Sequence, residues 1–309
     1  MKNFKKQIVI VFLLAFIVAF TLAAYGDLQK VGLALLNVPF WLIPACLVFT
    51  TLNYLLRFLR WQFLLGQIGI SSHELPVKKS LLIFLSGLAM TITPGKVGEI
   101  LKSYLIKKEI GNRFAETAPL IIIERLTDGL GMIILMSVGL LQYKYGVLPV
   151  LTALAVCLLF ILFIQNQKLC NFFLQKIGRE QLKIFYKNSV KLLSVKNLII
   201  TVSLSTLSWL MEAASLSLII LVVAHKFFFA AGAFIFSFAS FLGFASLLPA
   251  GLGVAEGSLT GLLQMLIGLD KTPAVVITLI LRATTLWFGV FVGLISLLLI
   301  SRSKSKITV

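Results

Sequence analysis

Phe84-Leu85-Ser86-Gly87-Leu88-Ala89-Met90-Thr91-Ile92-Thr93-Pro94-Gly95-Lys96-Val97-Gly98-Glu99 reads as an apolar half-helix, a Pro, two Gly and a Glu. A second stretch has the same plan: Phe241-Leu242-Gly243-Phe244-Ala245-Ser246-Leu247-Leu248-Pro249-Ala250-Gly251-Leu252-Gly253-Val254-Ala255-Glu256. An Arg follows each Glu by 26 positions, Arg125 after Glu99 and Arg282 after Glu256, each in the next apolar run. Shared order and shared spacing point to an internal duplication, with units 39–141 and 198–300. Pro removes an amide donor and Gly permits a tight turn, so Pro94, Gly95 and Gly98, and Pro249, Gly251 and Gly253, are expected to turn the chain. The half-helix after each turn begins with free N–H groups, which suit an anion such as phosphate.

The surroundings of these stretches set the solvent. Of 309 residues 59% are apolar and only 13% charged, with a mean hydropathy of +1.03. A soluble domain averages roughly 45–50% apolar and about 25% charged, so a water-soluble fold is excluded, and disorder with it. A spanning helix needs about 20 mostly apolar residues. Six stretches qualify or nearly so: Ile8–Ala24, Pro39–Leu56, Ala118–Leu141, Val147–Ile164, Leu198–Ala224 and Ala274–Ile300. The first follows Lys2, Lys5 and Lys6 like a signal peptide, but its cleavage site is weak, and an uncleaved helix is expected. Leu81–Thr93, 13 residues between basic flanks, is too short to cross and is expected to be re-entrant from the cytoplasm. Phe227–Ile267, whose first arm is long enough to span, is expected to be re-entrant from outside. The fold class is therefore all-α: a polytopic integral membrane protein with about six full spans and two re-entrant hairpins in an inverted repeat. Such repeats are the plan of many secondary transporters, whose sites lie near the midplane where discontinuous helices meet.

Basic residues fix the orientation. The chain has 28 Lys and Arg against 11 Asp and Glu, a net charge of +17. With the N-terminus inside, 20 of the 28 fall on the cytoplasmic side and four (Lys30, Lys144, Lys226, Lys271) outside. By the positive-inside rule both termini are cytoplasmic, and the expected location is the cytoplasmic membrane. Nucleic acid is not expected as a partner. Residues 166–197 carry seven of these basic residues and one acid, Glu180. Leu182, Phe185, Tyr186, Ser189 and Leu193 share one helical face, with Lys183, Lys187 and Lys191 off it. This reads as an interfacial amphipathic helix on the anionic leaflet.

The remaining basic residues, Lys96, Lys102, Arg125 and Arg282, lie in or beside apolar stretches, as do Glu99, Glu124, Asp128, Glu212 and Glu256. A charge at the bilayer centre costs on the order of 3 kcal/mol or more, so these groups should face inward and pair. The pairs expected are Glu99 with Arg125 and Glu256 with Arg282. Glu124 and Asp128, four apart, share a helix face, with Arg125 directed away from both. Two readings stand. The pairs fix helix register. Or Lys96, Arg125 and Arg282 meet the phosphate of a passing headgroup while Glu99, Glu124, Asp128, Glu212 and Glu256 meet cations or protons. Arg57, Arg60 and Trp61 read as interfacial anchors closing the second span. Cys46, Cys157 and Cys170 are scattered and read as apolar fillers. His73 and His225 stand alone in loops. No metal site, cofactor or catalytic constellation is suggested.

Arg57-x-x-Arg60-Trp61, the Pro94–Glu99 turn, Glu124-Arg125-x-x-Asp128-Gly129 and the Pro249–Glu256 turn follow one another in this order. In this the chain resembles the transmembrane, flippase-like domain of lysylphosphatidylglycerol synthases, from about the second span to the last. In two-part members that domain moves aminoacylated lipid between leaflets while a C-terminal soluble domain attaches the amino acid. Here the chain ends at Val309 with a short basic tail, so aminoacyl transfer is not expected of it. The resemblance implies a lipid translocase for a phosphate-bearing or modified envelope lipid, either an anionic phospholipid or a polyprenol-phosphate type. A polyprenol-phosphate-linked glycosyltransferase is the alternative, or an accessory subunit of a partner enzyme of lipid modification. Glycosyltransferases of this kind need acidic residues on an outer loop, and only Asp27 and Asp270 are available there.

Overall fold

Lipid offers no partner for a free amide, and a helix satisfies every interior amide within its own segment. The structure, a computed structural model, describes residues 2–93, 98–140, 147–166 and 179–305, and every regular element among them is helical. In chain order these are α1 (Lys2–Tyr25), α2 (Leu28–Leu36), α3 (Leu42–Gln67), α4 (Val77–Ala89), α5 (Leu101–Ile110), α6 (Phe114–Leu140) and α7 (Val147–Gln165). There follow α8 (Arg179–Leu192), α9 (Val195–Ala224), α10 (Phe229–Ala245), α11 (Val254–Ile267), α12 (Lys271–Arg282) and α13 (Phe288–Ser305).

Burial is inverted relative to a water-soluble protein. Large apolar side chains such as Phe16, Val48, Leu55, Leu159, Leu162, Phe291 and Leu298 point outward, while Asn53, Arg57, Arg60, Lys102, Glu124, Asp128 and Glu212 are buried. Helix interfaces carry small and hydroxylated residues, among them Thr50, Ser86, Ser103, Thr127, Ser205, Ser208, Ser215 and Ser217. That is the pattern of helices that pack in lipid by close approach and hydrogen bonding. The chain is thus an all-α polytopic membrane protein. Among the described residues, four segments are long and apolar enough to cross: Leu42–Gln67, Val195–Ala224, Pro249–Ile267 and Lys271–Arg302. The pair α1 and α2, bent by 100°, is a fifth if counted as one span. Asp27 makes that bend at φ 71° and caps α2 by accepting the Lys30 N–H at 3.3 Å. That bond and the Lys30 ammonium hold its carboxyl below the usual carboxylate range.

Several expectations change here. The helix α6 covers the expected span at 118–141 but carries Glu116, Glu124, Arg125 and Asp128, which removes it from the purely apolar set. In the second broken segment the arms are α10, 17 residues, and α11, 14 residues, with the turn Pro249–Gly251 between them. The apolar face of α8 packs on α6, with Leu182, Ser189 and Leu193 buried and Lys183, Lys187 and Lys191 exposed. It therefore lies on protein, where a lipid surface was expected. Asn188 ties it to the Glu116 carbonyl at 3.0 Å.

The two broken segments are placed reciprocally. The half-helix α4 packs on α13, and the half-helix α10 packs on α6. Glycine permits both contacts: a Cβ on Gly293 would run into the Ala89 backbone, and one on Gly139 into the Phe234 side chain. The helices α3 and α9 pack against each other at the centre. The first broken segment folds back on itself. Lys79, near the start of α4, pairs with Glu109, near the end of α5. Residues 68–74 before it and Glu109–Glu116 after it line one surface pocket.

Candidate functional site

Two charged clusters and one cavity lie between these helices. The larger cluster is built on α6, where Glu124 and Asp128 are one turn apart. Asp128 Oδ1 accepts hydrogen bonds from Arg60 Nη1 at 2.7 Å, Ser205 Oγ at 3.0 Å and Trp209 Nε1 at 3.1 Å. Its Oδ2 lies 2.9 Å from Arg125 Nη2, which also lies 3.2 Å from Glu99 Oε2. Lys102 joins Glu99, at 3.7 Å, to Glu124, and its Nζ sits 4.7 Å from the centre of the Trp61 ring. The result is a continuous chain: Arg60, Asp128, Arg125, Glu99, Lys102, Glu124. Three cations meet three carboxylates, so the cluster is neutral as a whole. Neutrality and dense pairing are what make such a group tolerable away from water.

The second cluster is at the later turn. Glu256 Oε2 accepts the Gly253 N–H at 2.7 Å and so caps α11, while its Oε1 accepts from Arg282 Nε at 2.6 Å. Arg282 Nη2 donates to the Ala250 carbonyl at 2.9 Å. One carboxylate thus joins the turn, the start of α11 and the end of α12. Gly251 has φ 65° and lies against Gly243, where a Cβ would come within 2.9 Å of the Gly243 backbone. Only glycine fits that turn. After Arg282 the helix widens into a π segment, Ala283–Trp287, whose Thr285 carbonyl accepts from the Tyr54 hydroxyl at 3.0 Å. Such segments often occur at functional sites.

The cavity, about 130 Å³, lies where Met90–Ile92, at the end of α4, approaches the later turn Pro249–Gly251. Its wall includes Asn53, Tyr54 and Arg57 of α3, Trp209 and Glu212 of α9, Thr91 of the first broken segment, and Ser240, Gly251 and Arg282 of the second unit. Arg57 is 7% exposed and its guanidinium lies 5.4 Å from the centre of the Trp209 ring. It makes no ion pair among the described residues. Glu212 accepts from Thr50 Oγ1 at 3.4 Å.

Of the residues expected from the sequence, Glu99, Glu124, Arg125 and Asp128 come together in the larger cluster, Glu256 and Arg282 in the second. Glu212 stands apart from both on the cavity wall. Lys96, Pro94 and Gly95 lie outside the described residues. Gly98 donates its N–H to Thr93 Oγ1 at 2.8 Å, and Pro249, Gly251 and Gly253 form the second turn. Two expectations are overturned. Arg125 was placed away from Asp128, but positions three apart on a helix are neighbours and the long guanidinium reaches it. Arg57, Arg60 and Trp61 were placed at an interface, but α3 runs on to Gln67, so all three fall within the helix body and are buried. The signal was present in Phe63-Leu64-Leu65, which resumes the apolar run beyond Arg60. Lys102 pairs inside the cluster as its place in an apolar stretch implies, and Trp209 was the other participant missed.

The description "Lysylphosphatidylglycerol synthase TM region" matches residues 7–293. The chain is also 25% identical over 229 residues to a UPF0104 membrane protein of Methanocaldococcus jannaschii, covering 70% of this chain and 95% of the relative.

Proposed function

The chain belongs to the family of the lysylphosphatidylglycerol synthase transmembrane region, and from that premise we propose that it moves the phosphate-bearing headgroup of a membrane lipid between leaflets. The observation that carries this reading is the cavity beside the later turn, with Arg57 on its wall as a buried cation without an ion pair among the described residues. A guanidinium held in that state favours an anion, and Arg binds phosphate through two parallel donors. The neutral cluster on α6 keeps register beside this path, and the Glu256–Arg282 pair holds the second turn against its wall.

In this reading the broken segments are re-entrant hairpins of two inverted units, 39–141 and 198–300. The ion pair between Lys79 and Glu109 supports a return of the first hairpin to its own side. The reciprocal packing of α4 on α13 and α10 on α6 supports the exchange of half-helices between units. Both termini are assigned to the cytoplasmic side of the cytoplasmic membrane from the distribution of Lys and Arg.

The test is leaflet exchange of a fluorescent phospholipid in proteoliposomes. Wild-type protein should exchange the label faster than protein-free vesicles, and Ser240→Trp, which fills the cavity, should return the rate to that of the vesicles. Equal rates with and without protein would refute the reading.

A further inference from the structure

Pairing the buried charges leaves two side chains over. Arg60, Arg125 and Lys102 are matched by Asp128, Glu99 and Glu124, and Arg282 by Glu256. Arg57 and Glu212 remain, 7% and 3% exposed, on the wall of the same cavity and without an ion pair to each other. We propose that this cavity receives a zwitterionic headgroup, with Arg57 holding its phosphate and Glu212 and Asn53 holding its ammonium.

The acceptor end rests on hydrogen bonds as well as on charge. Asn53 donates Nδ2 to the Ser208 carbonyl at 2.7 Å, which fixes the amide and leaves Oδ1 buried without a donor among the described residues. The Thr50 hydroxyl reaches Glu212 at 3.4 Å, long for a bond to a carboxylate. An ammonium supplies several donors and one positive charge, which is what these two acceptors lack. At the other end, Arg57 Nε is also buried without an acceptor among the described residues. Asn53 and Arg57 are four residues apart on α3, so the two ends are separated by roughly 6 Å along the axis, at about 1.5 Å per residue.

Charge complementarity selects among ligands. Arg57 and Glu212 feel each other's charge across the cavity without a direct ion pair, and a simple anion would contact Arg57 alone. A simple cation would do the reverse. A ligand with one charge of each sign satisfies both and brings no net charge into the membrane interior. The wall of the cavity, about 130 Å³, sets a guanidinium beside two acceptors, which matches an aminoalkyl phosphate. The same chemistry is found on a lipid, as in phosphatidylethanolamine, and in a free solute, as in phosphoethanolamine. The assignment to a lipid rests on the function proposed above.

Binding to the purified full chain separates these cases. Phosphatidylethanolamine should bind roughly tenfold tighter than phosphatidylglycerol, a difference of about 1.4 kcal/mol. Glu212→Gln should bring the ratio near one. Asn53→Leu should reduce it, and Arg57→Gln should weaken both lipids. The ratio is taken within each variant, so a partly inactive sample does not change it. Thr50→Val, which removes only the long hydroxyl bond to Glu212, should keep the preference. Equal binding of the two lipids by wild type, or a preference that survives Glu212→Gln, would overturn the zwitterion site. Free phosphoethanolamine competing as well as the lipid would uphold the site and assign it to a solute. A lipid preference without leaflet exchange would uphold the site while refuting the transport reading.

Discussion

At the scale of the residue, Asp128 and Arg57 are opposites. Asp128 holds Arg60, Arg125, Ser205 and Trp209 around one carboxylate. Asp128→Asn leaves two guanidinium groups short of a counter-charge, and breaking a buried pair costs about 3–5 kcal/mol. Its thermal unfolding midpoint in detergent should fall well below that of wild type. Arg57 has no such partner, so Arg57→Gln should leave the midpoint unchanged. An equal loss in both variants would mean that Arg57 is structural too. The Glu–Arg contacts could be read from the sequence, because the spacing of 26 recurs and a charge in an apolar run has to find a partner. Arg57 and Arg60 could not be, since hydropathy falls there and a hydropathy minimum looks like a helix end. What buries them is tertiary: α6 and α9 supply Asp128 and Trp209 from far along the chain.

At the scale of the element, the turns are where sequence and structure meet most directly. At the later turn Pro249, Gly251, Gly253 and Glu256 separate α10 from α11, and the 13 residues of α4 match the length of the first apolar run. The turn Pro249–Gly251 stands between the two arms of the second segment. Glu256 serves that turn twice, as cap and as ion-pair partner. Glu256→Ala should therefore lower stability by about 3 kcal/mol, with proteolysis around residues 246–253 as the local readout. Gly293→Val forces a side chain against the Ala89 backbone. Overpacking of this kind costs about 1–3 kcal/mol, and Gly293→Ser should be milder in the same unfolding assay. The amphipathic pattern of α8 was visible in the sequence, but not that its apolar face is covered by α6, since periodicity names a buried face without naming what buries it. Single cysteines at His73 and Asn112 test the first hairpin. A membrane-impermeant thiol reagent should reach both from the same side, whereas a full span would place them on opposite sides.

At the scale of the whole molecule, the excess of positive charge divides into two parts. Most of it lies outside the apolar stretches of the sequence. The buried part is paired into two neutral clusters, with Arg57 and Glu212 left on the wall of a cavity. Composition alone established a membrane protein and excluded a soluble one. It could not reveal a cavity, which exists only once segments distant in the chain are brought together. A protein organised around that cavity should lose transport without losing its fold when the unpaired cation is removed. The decisive measurement is the leaflet-exchange rate of a labelled phospholipid in proteoliposomes bearing wild type or Arg57→Gln at matched protein content. The account predicts a rate at least about tenfold lower for Arg57→Gln, equivalent to about 1.4 kcal/mol of lost headgroup stabilisation, with an unchanged unfolding midpoint. A variant that exchanges lipid as fast as wild type would contradict it.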